Sequence, residues 1–131
     1  MKINREISYS ELAGLVLLLE AERPRESDQG MVALAHVVCN RLLSGEHFSN
    51  ICQDPDFVPE AGRGSYLDCR DMSVSLEVLG LIAEALSPDG DDPTDGALRF
   101  HRHDTSPDWA SELEPSALIG GRFYYPKGAF P

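Results

Sequence analysis

The stretch LAGLVLLLEAERPRESDQGMVALAHVVCNRLL, residues 12–43, decides how the chain is read. Two nearly all-apolar runs flank a charged corner, AERPRE, residues 21–26. The corner holds Glu22, Arg23, Arg25 and Glu26, with Glu20 just ahead of it. Serine and glycine suffice to join two apolar helices. A cluster of charges at such a joint is either a solvated helix end or a site.

The flanks read as helices. Ser8 and Glu11 have capping-box spacing and start a first helix that runs to about Glu22. Leu12, Leu15, Val16, Leu17, Leu18 and Leu19 cover most of its cylinder, which predicts burial on nearly all sides. Pro24 ends it. Ser27 or Asp28 caps a second helix, about residues 29–44, again apolar nearly all round. Glu22 follows Leu15, Leu18 and Leu19 by seven, four and three positions, which puts it on an apolar face at the C-terminal helix end. Desolvation and the negative end of the helix dipole both disfavour a carboxylate there, and both raise its pKa. A carboxyl that keeps its proton near neutral pH is what a general acid needs. Arg23 and Arg25 oppose that shift if they point at Glu22, and an ion-paired helix end is the alternative.

Downstream the signals weaken. Residues 45–72 are rich in turn formers and read as irregular. A third helix is expected over residues 73–86, ending at SPDG. DDPTDG, residues 91–96, is a tight turn, and ALRFH, residues 97–101, alternates like a strand. SPDWA, residues 106–110, predicts a short helical turn with Ser106 as cap and Pro107 in the first helical position. ALIGGRFYY, residues 117–125, sets Gly-Gly between two strand-like pieces and predicts a hairpin. The whole is α+β: buried helices with a small antiparallel β-sheet at one end, in a single domain over residues 1–131.

Composition narrows the function classes. The chain has 22 acidic and 11 basic residues and a net charge of −11. Phosphate contacts need a basic face, so this balance argues against unaided binding of nucleic acid; a polymeric sugar stays open. Three cysteines, Cys39, Cys52 and Cys69, do not make a disulfide framework. Cys39 reads as a packed thiol, and the spacing leaves pairing of Cys52 with Cys69 open. The longest apolar run, Leu15 to Leu19, is too short to span a membrane, and MKINREISYSE has no apolar stretch of signal-peptide type. Synthesis in the cytoplasm without a signal peptide, and no membrane insertion, are therefore expected. There is no glycine-rich phosphate loop and no Gly-x-Ser-x-Gly, so no cofactor is expected. HRHD, residues 101–104, looks like a metal motif but has no second ligand cluster near it in sequence, so no metal is expected either. A small metal-dependent hydrolase built on His101 is the reading this sets aside. Sugars present C–H faces that stack on aromatic rings, which makes Trp109, Tyr124 and Tyr125 candidate platforms; core packing is the commoner fate. His36 reads as a core histidine.

AERPRESDQGMVALAHVVCNRL, residues 21–42, resembles the start of the SleB-type cell wall hydrolases, the spore-cortex-lytic family. The shared pattern is a glutamate, a second glutamate four residues on, a glycine eight after the first, and a small-apolar helix ending in Asn-Arg. Here these are Glu22, Glu26, Gly30 and Asn40–Arg41. The family's Asp-Pro-Thr-x-Gly-Ala turn leading to a Phe-His strand matches DPTDGALRFH, residues 92–101, and its Ile-Gly before an aromatic strand matches IGGRFYY, residues 119–125. NIC, residues 50–52, also matches. The resemblance covers roughly residues 12–125. It implies a lysozyme-like fold that cleaves peptidoglycan glycan strands between N-acetylmuramic acid and N-acetylglucosamine. It implies Glu22 as the catalytic acid/base and Glu26 as the residue that orders the adjoining loop. It sets Thr94 and Asp95 at the rim of the active site. His101, at the end of the matched strand, either points into the glycan cleft and donates to a sugar hydroxyl or is a half-exposed strand-end histidine, with Trp109 and Tyr124 as candidate platforms for the sugar. It places the action at the bacterial cell wall, and a phage endolysin or virion-associated lysin, with phage tail or lysis components as partners, fits a chain without an export signal. Three departures stand out: Glu20 replaces an aromatic residue, Arg25 replaces a glycine, and of a Gln-Phe pair after the cysteine only Phe57 offers a counterpart. They keep a catalytically silent peptidoglycan-binding or lysis-regulating module as the alternative, and leave hydrolysis against transglycosylation open.

Overall fold

The computed structural model describes residues 7–23, 26–54, 57, 76–87 and 91–130. Helix α1 spans Tyr9–Glu22 and opens with the expected capping box: Glu11 N donates to Ser8 Oγ, and Ser8 N donates to Glu11 Oε1, each at 3.1 Å. Helix α2 spans Asp28–Leu43, and Ser27 caps it by accepting from Gly30 N at 3.1 Å. Of the two residues that read as caps, Ser27 is the cap and Asp28 opens the helix. A short helix, α3, Phe48–Cys52, corrects the reading of that stretch as irregular. Its five residues are too few for a periodic signal. Apart from Phe57, the rest of that stretch beyond Asp54 lies outside the described residues. Helix α4 spans Leu76–Leu86; residues 73–75 of the expected helix also lie outside them.

The apolar pattern determines the packing. Helix α2 is central and touches α1, α3, α4 and the sheet. Met31, Leu34, Val37 and Val38 of α2 are fully buried, as are Leu15, Leu18 and Leu19 of α1. Each such leucine stabilises the fold by about 1.5–3 kcal/mol relative to an exposed one. Helix α4 instead buries one stripe, Val78, Ile82 and Ala85. Gly14 lets the Phe48 ring lie directly on α1, because a Cβ at that position would overlap the ring. Cys39 is buried in this core, whereas Cys69 lies outside the described residues. Among those residues no helix is long and apolar enough to cross a membrane.

The sheet has three antiparallel strands, β1 (Ala97–Arg102), β2 (Ala117–Ile119) and β3 (Arg122–Pro126), in the order β1-β3-β2. Gly120 and Gly121 make the predicted hairpin turn with φ of +58° and +81°, the doubly positive conformation that glycine adopts without a steric penalty. The alternation expected in β1 is broken by a register shift between Ala97 and Arg99, so its buried positions are Ala97 and Phe100. Phe100 meets Phe57 edge-on at 4.9 Å and Tyr124 at 5.8 Å, which joins the sheet to the helical core. The helical turn near Trp109 is a 3-10 turn, Asp108–Ala110, preceded by Pro107 in the cap position with no side-chain cap. Ser106 therefore does not cap it: Pro107 adopts the extended cap conformation, so the turn starts one residue later than expected.

The Asn-Arg pair at the end of α2 ties the helix to both neighbours. Asn40 Nδ2 donates to Asp92 Oδ2 at 2.9 Å and to the Ala97 carbonyl at 3.0 Å. Arg41 turns the other way and binds Glu46 through two nitrogens and Asp54 at 2.7 Å. Asp92 also accepts from Thr94 N, Thr94 Oγ1 and Gly96 N at 2.6–2.9 Å. Burial pushes the Asp92 carboxyl up, but these hydrogen bonds from Thr94, Asn40 and Gly96 outweigh it and hold Asp92 below its ordinary value. His36, buried 3.7 Å from Asp92, is pushed down by desolvation against the pull of that carboxylate, and so is a neutral core histidine. Replacing Asn40→Ala should cost about 1–3 kcal/mol in urea unfolding, because the Ala97 carbonyl and Asp92 both lose a donor. An unchanged midpoint would show that the α2-to-sheet tie contributes nothing.

Candidate active site

The charged corner closes on a residue 96 positions away. Arg122 opens β3 and alternates with Tyr124, so both point off the same face of the strand, into the core. Its guanidinium donates to Glu22 Oε2 at 2.9 Å through one nitrogen and to Glu26 Oε2 through the other. Glu22 is 1% exposed, Arg122 4%, and the Glu26 side chain is fully enclosed. Arg122 also lies against the Phe100 ring, 5.6 Å from its centroid. One cation thus serves two buried carboxylates.

The two carboxylates are not equivalent. Glu22 is the last residue of α1, at the negative end of that helix dipole. Glu26 immediately precedes the cap of α2, at the positive end of that dipole, and accepts from Ser27 N at 2.9 Å and Ser27 Oγ at 3.3 Å. Two glycines make room for it: a Cβ on Gly30 or on Gly120 would collide with the Glu26 carboxylate. That is the physical content of the Glu26–Gly30 spacing and of the first hairpin glycine. Among the described residues, Tyr124 Oη and Arg122 Nε, both buried in this region, find no hydrogen-bond partner. Burial pushes the Tyr124 phenol well above its ordinary value, with Arg122 pulling it down and Glu22 pushing it up, so it stays a hydroxyl.

A cation that the sequence did not suggest, Arg122, faces Glu22. Arg23 turns away, onto Glu77 of α4 and within 3.8 Å of Asp28, and Arg25 lies outside the described residues. Arg122 was missed as a site residue. The signal for it was its two-residue offset from Tyr124 in a strand with one buried face, which puts an arginine among core residues.

The remaining site candidates separate. Thr94 is fully buried and gives its hydroxyl to Asp92 at 2.6 Å, so it locks the turn and does not form a rim. Asp95 is exposed on that turn with φ of +56°. Tyr124 is fully buried against Phe100 and presents no platform, because β3 aims it at the core. Trp109 has its ring covered by Arg99, at 3.9 Å, and by Phe130, stacked at 6.2 Å, so it backs the wall formed by His101 and Tyr125. His101 stacks on Tyr125 and bonds its hydroxyl through Nε2 at 2.8 Å, while Nδ1 meets the Arg102 carbonyl at 2.8 Å. Asp104 is engaged by Arg102 through two bonds, so HRHD is arranged as a hydrogen-bonded strand end and not as a ligand set.

A cavity of about 340 Å³ lined by Arg102, His103, Gly120, Gly121 and Arg122 opens beside the carboxylate pair. His103 also lines a second one of about 340 Å³ that holds His101, Phe123 and Tyr125. A larger cavity, about 390 Å³, lies between α2, α4 and the turn before β1, and none of Glu22, Glu26 or Arg122 lines it.

Comparison with known proteins gives this α+β domain and its paired-glutamate corner a family. Residues 25–125 match the model of the Cell Wall Hydrolase family, and the chain belongs to that family. The matched stretch contains Glu26, Gly30, Asn40–Arg41 and Arg122; Glu22 lies just ahead of it. No curated protein matches. Among solved structures, the chain is similar to the catalytic domain of the germination-specific lytic transglycosylase SleB from Bacillus anthracis, with a TM-score of 0.67 at 20% identity, covering 94% of this chain and 99% of that one. It is also similar to the catalytic domain of the Bacillus cereus SleB protein, with a TM-score of 0.63 at 21% identity, covering 93% and 95%. These similarities establish the lysozyme-like α+β fold.

Removing the shared cation tests the arrangement. Arg122→Met strands two buried carboxylates and should cost about 3–5 kcal/mol near neutral pH. In that variant the folded state binds protons more readily than the unfolded one, so stability recovers as pH falls through the carboxylate range. Urea unfolding at both ends of that range should show the deficit relative to the parent narrowing on acidification. A deficit that is small, or constant with pH, would show that Arg122 does not hold the pair.

Proposed function

We propose that this domain cleaves the glycan strand of peptidoglycan between N-acetylmuramic acid and N-acetylglucosamine, with Glu22 as the single catalytic acid/base. The observation that carries the reading is the shared cation. Two carboxylates held on one guanidinium in a buried place repel each other, and a proton on one of them relieves that repulsion. The α2 dipole and the Ser27 donors favour the anion on Glu26, so the proton belongs on Glu22, at the negative end of α1. The result is a buried acid beside a permanent anion, the division of roles that acid catalysis requires. For Glu22 to touch a glycosidic oxygen, Arg122 must give up its bond to Oε2; its bond to Glu26 keeps it placed while it does so.

The chemistry that follows is intramolecular. Glu22 protonates the leaving glycosidic oxygen. As a carboxylate it then takes the proton of the muramic 6-hydroxyl while that oxygen attacks its own anomeric carbon. The product end is a 1,6-anhydromuramic residue. Ordinary glycosidases place a second carboxylate across the sugar ring. Glu26 is committed to Arg122 and Ser27 behind the same corner, and Asp95 stands exposed on a separate turn. One carboxyl in both roles is the better fit. The burial of Glu22 and its ion pair also favour a second reading, a silent peptidoglycan-binding module on the same fold.

Purified cell walls decide between them. Glu22→Gln should cost at least about 100-fold in wall-lysis rate while leaving the fold intact. Mass spectrometry of the parental digest should show ends one water lighter than reducing ends. Lysis at the parental rate by Glu22→Gln would remove the acid assignment. No lysis by either protein would favour the silent module. Reducing ends alone would mean that a water attacks, with Asp95 as the next residue to substitute.

A further inference from the structure

The groove between α2, α4 and the turn before β1 holds none of the charged-corner residues and has a chemistry of its own. Its floor is apolar: Val32, Leu81, Pro93 and Ile119. Its rim is acidic: Asp28, Glu84 and Asp91, with no lysine, arginine or histidine in the lining.

The helices give this groove a direction. Arg23 binds Glu77, in the first turn of α4, and lies 3.8 Å from Asp28, the first residue of α2. The two helix starts therefore lie together. One turn further on, Val32 and Leu81 share the groove floor. Glu84 follows Glu77 by seven residues, about 10 Å along α4. Carboxylates thus mark both ends of an apolar trough about two helical turns long.

Those carboxylates have little cation of their own. Arg41 is held by Glu46 and Asp54, Arg99 lies over Trp109, Arg102 is held by Asp104, and Arg122 serves Glu22 and Glu26. At the groove, Arg23 is one cation for two carboxylates, Glu77 and Asp28. Among the described residues, Glu84 and Asp91 have no ion-pair partner. A second copy of a chain with net charge −11 suits this rim badly. A cationic segment with an apolar face suits it well.

We propose that the groove docks a basic amphipathic helix of a partner protein. The spacing specifies the helix. Residues seven apart lie on one face about 10 Å from each other, and the residues three and four along lie between them on that face. Lysine or arginine at the outer positions reaches Asp28 at one end and Glu84 with Asp91 at the other. Leucine-like side chains at the inner positions enter the trough between Val32 and Leu81. This is helix-in-groove recognition, at a place separate from Glu22.

The test is an NMR titration of the isotope-labelled full chain with synthetic alanine-based helical peptides. One carries lysines seven positions apart with two leucines midway, as the groove spacing requires. A second has the same composition with its lysines moved two positions closer, and a third has glutamate for lysine. Shifts from the first should centre on Val32, Leu81, Glu84 and Ile119, and the other two should bind at least tenfold more weakly. Glu84→Gln with Asp91→Asn, both at exposed positions, should weaken the first peptide about tenfold, some 1.4 kcal/mol, with the rest of the spectrum unchanged. No saturable binding, or equal affinity for the respaced peptide, would overturn the proposal. So would equal shifts from a free linear diamine, which would make this a small-cation site, or self-association of the parent through these residues. Glu22→Gln should bind the peptide as the parent does, so loss of docking and loss of lysis are separable results.

Discussion

The structure depends on one arginine placed between two glutamates that belong to helix ends of opposite sign. Arg122 comes from the sheet, Glu22 from the end of α1, and Glu26 from the start of α2. Burying any of these alone would cost several kcal/mol, so each element can sit where it does only if the other two are in place. The apolar all-round surfaces of α1 and α2 drive the collapse, but they specify no particular corner. The shared cation specifies it: the hairpin must deliver β3 in the one register that points Arg122 inward, and a slip of one residue would send it to the solvent.

Supporting features follow from that constraint. Gly30 and Gly120 lack side chains where the Glu26 carboxylate needs the space, and Gly120 also supplies the first positive φ of the turn that launches β3. The hydrogen-bonded Asp92 turn, tied to Asn40 at the far end of α2, sets where β1 begins and hence where its partner β3 lies. The charge pattern also sorts the surface. Arg102 and Arg122 line one cavity, and a cavity walled by His101, Phe123 and Tyr125 shares His103 with it.

Much of this was legible in the sequence, and the parts that were not share a cause. The capping box at Ser8, the Ser27 cap, the glycine hairpin and the apolar helices are local patterns, and the structure reproduces them. Glu22 was readable from its spacing on an apolar face, and Glu26 from the family pattern. Arg122 was not, because a contact across 100 positions leaves no local trace beyond its two-residue offset from Tyr124. The aromatic candidates could not be sorted for the same reason: which face of β3 carries Tyr124 is set by strand register, and how Arg99 and Phe130 lie against Trp109 is set by contacts far along the chain. Thr94 was set at the rim by the family resemblance, whereas here the Asp92 network pulls its hydroxyl inside.

The central claim is that the shared cation leaves the proton on Glu22 and the charge on Glu26. It is tested most directly by following the side-chain carboxyl carbons of both residues by NMR from about pH 8 to about pH 3. The account predicts that Glu22 takes up its proton first as the pH falls, and that Glu26 remains ionised well after it. Protonation of Glu26 first, or both carboxyls staying ionised below the ordinary carboxylate range, would contradict it.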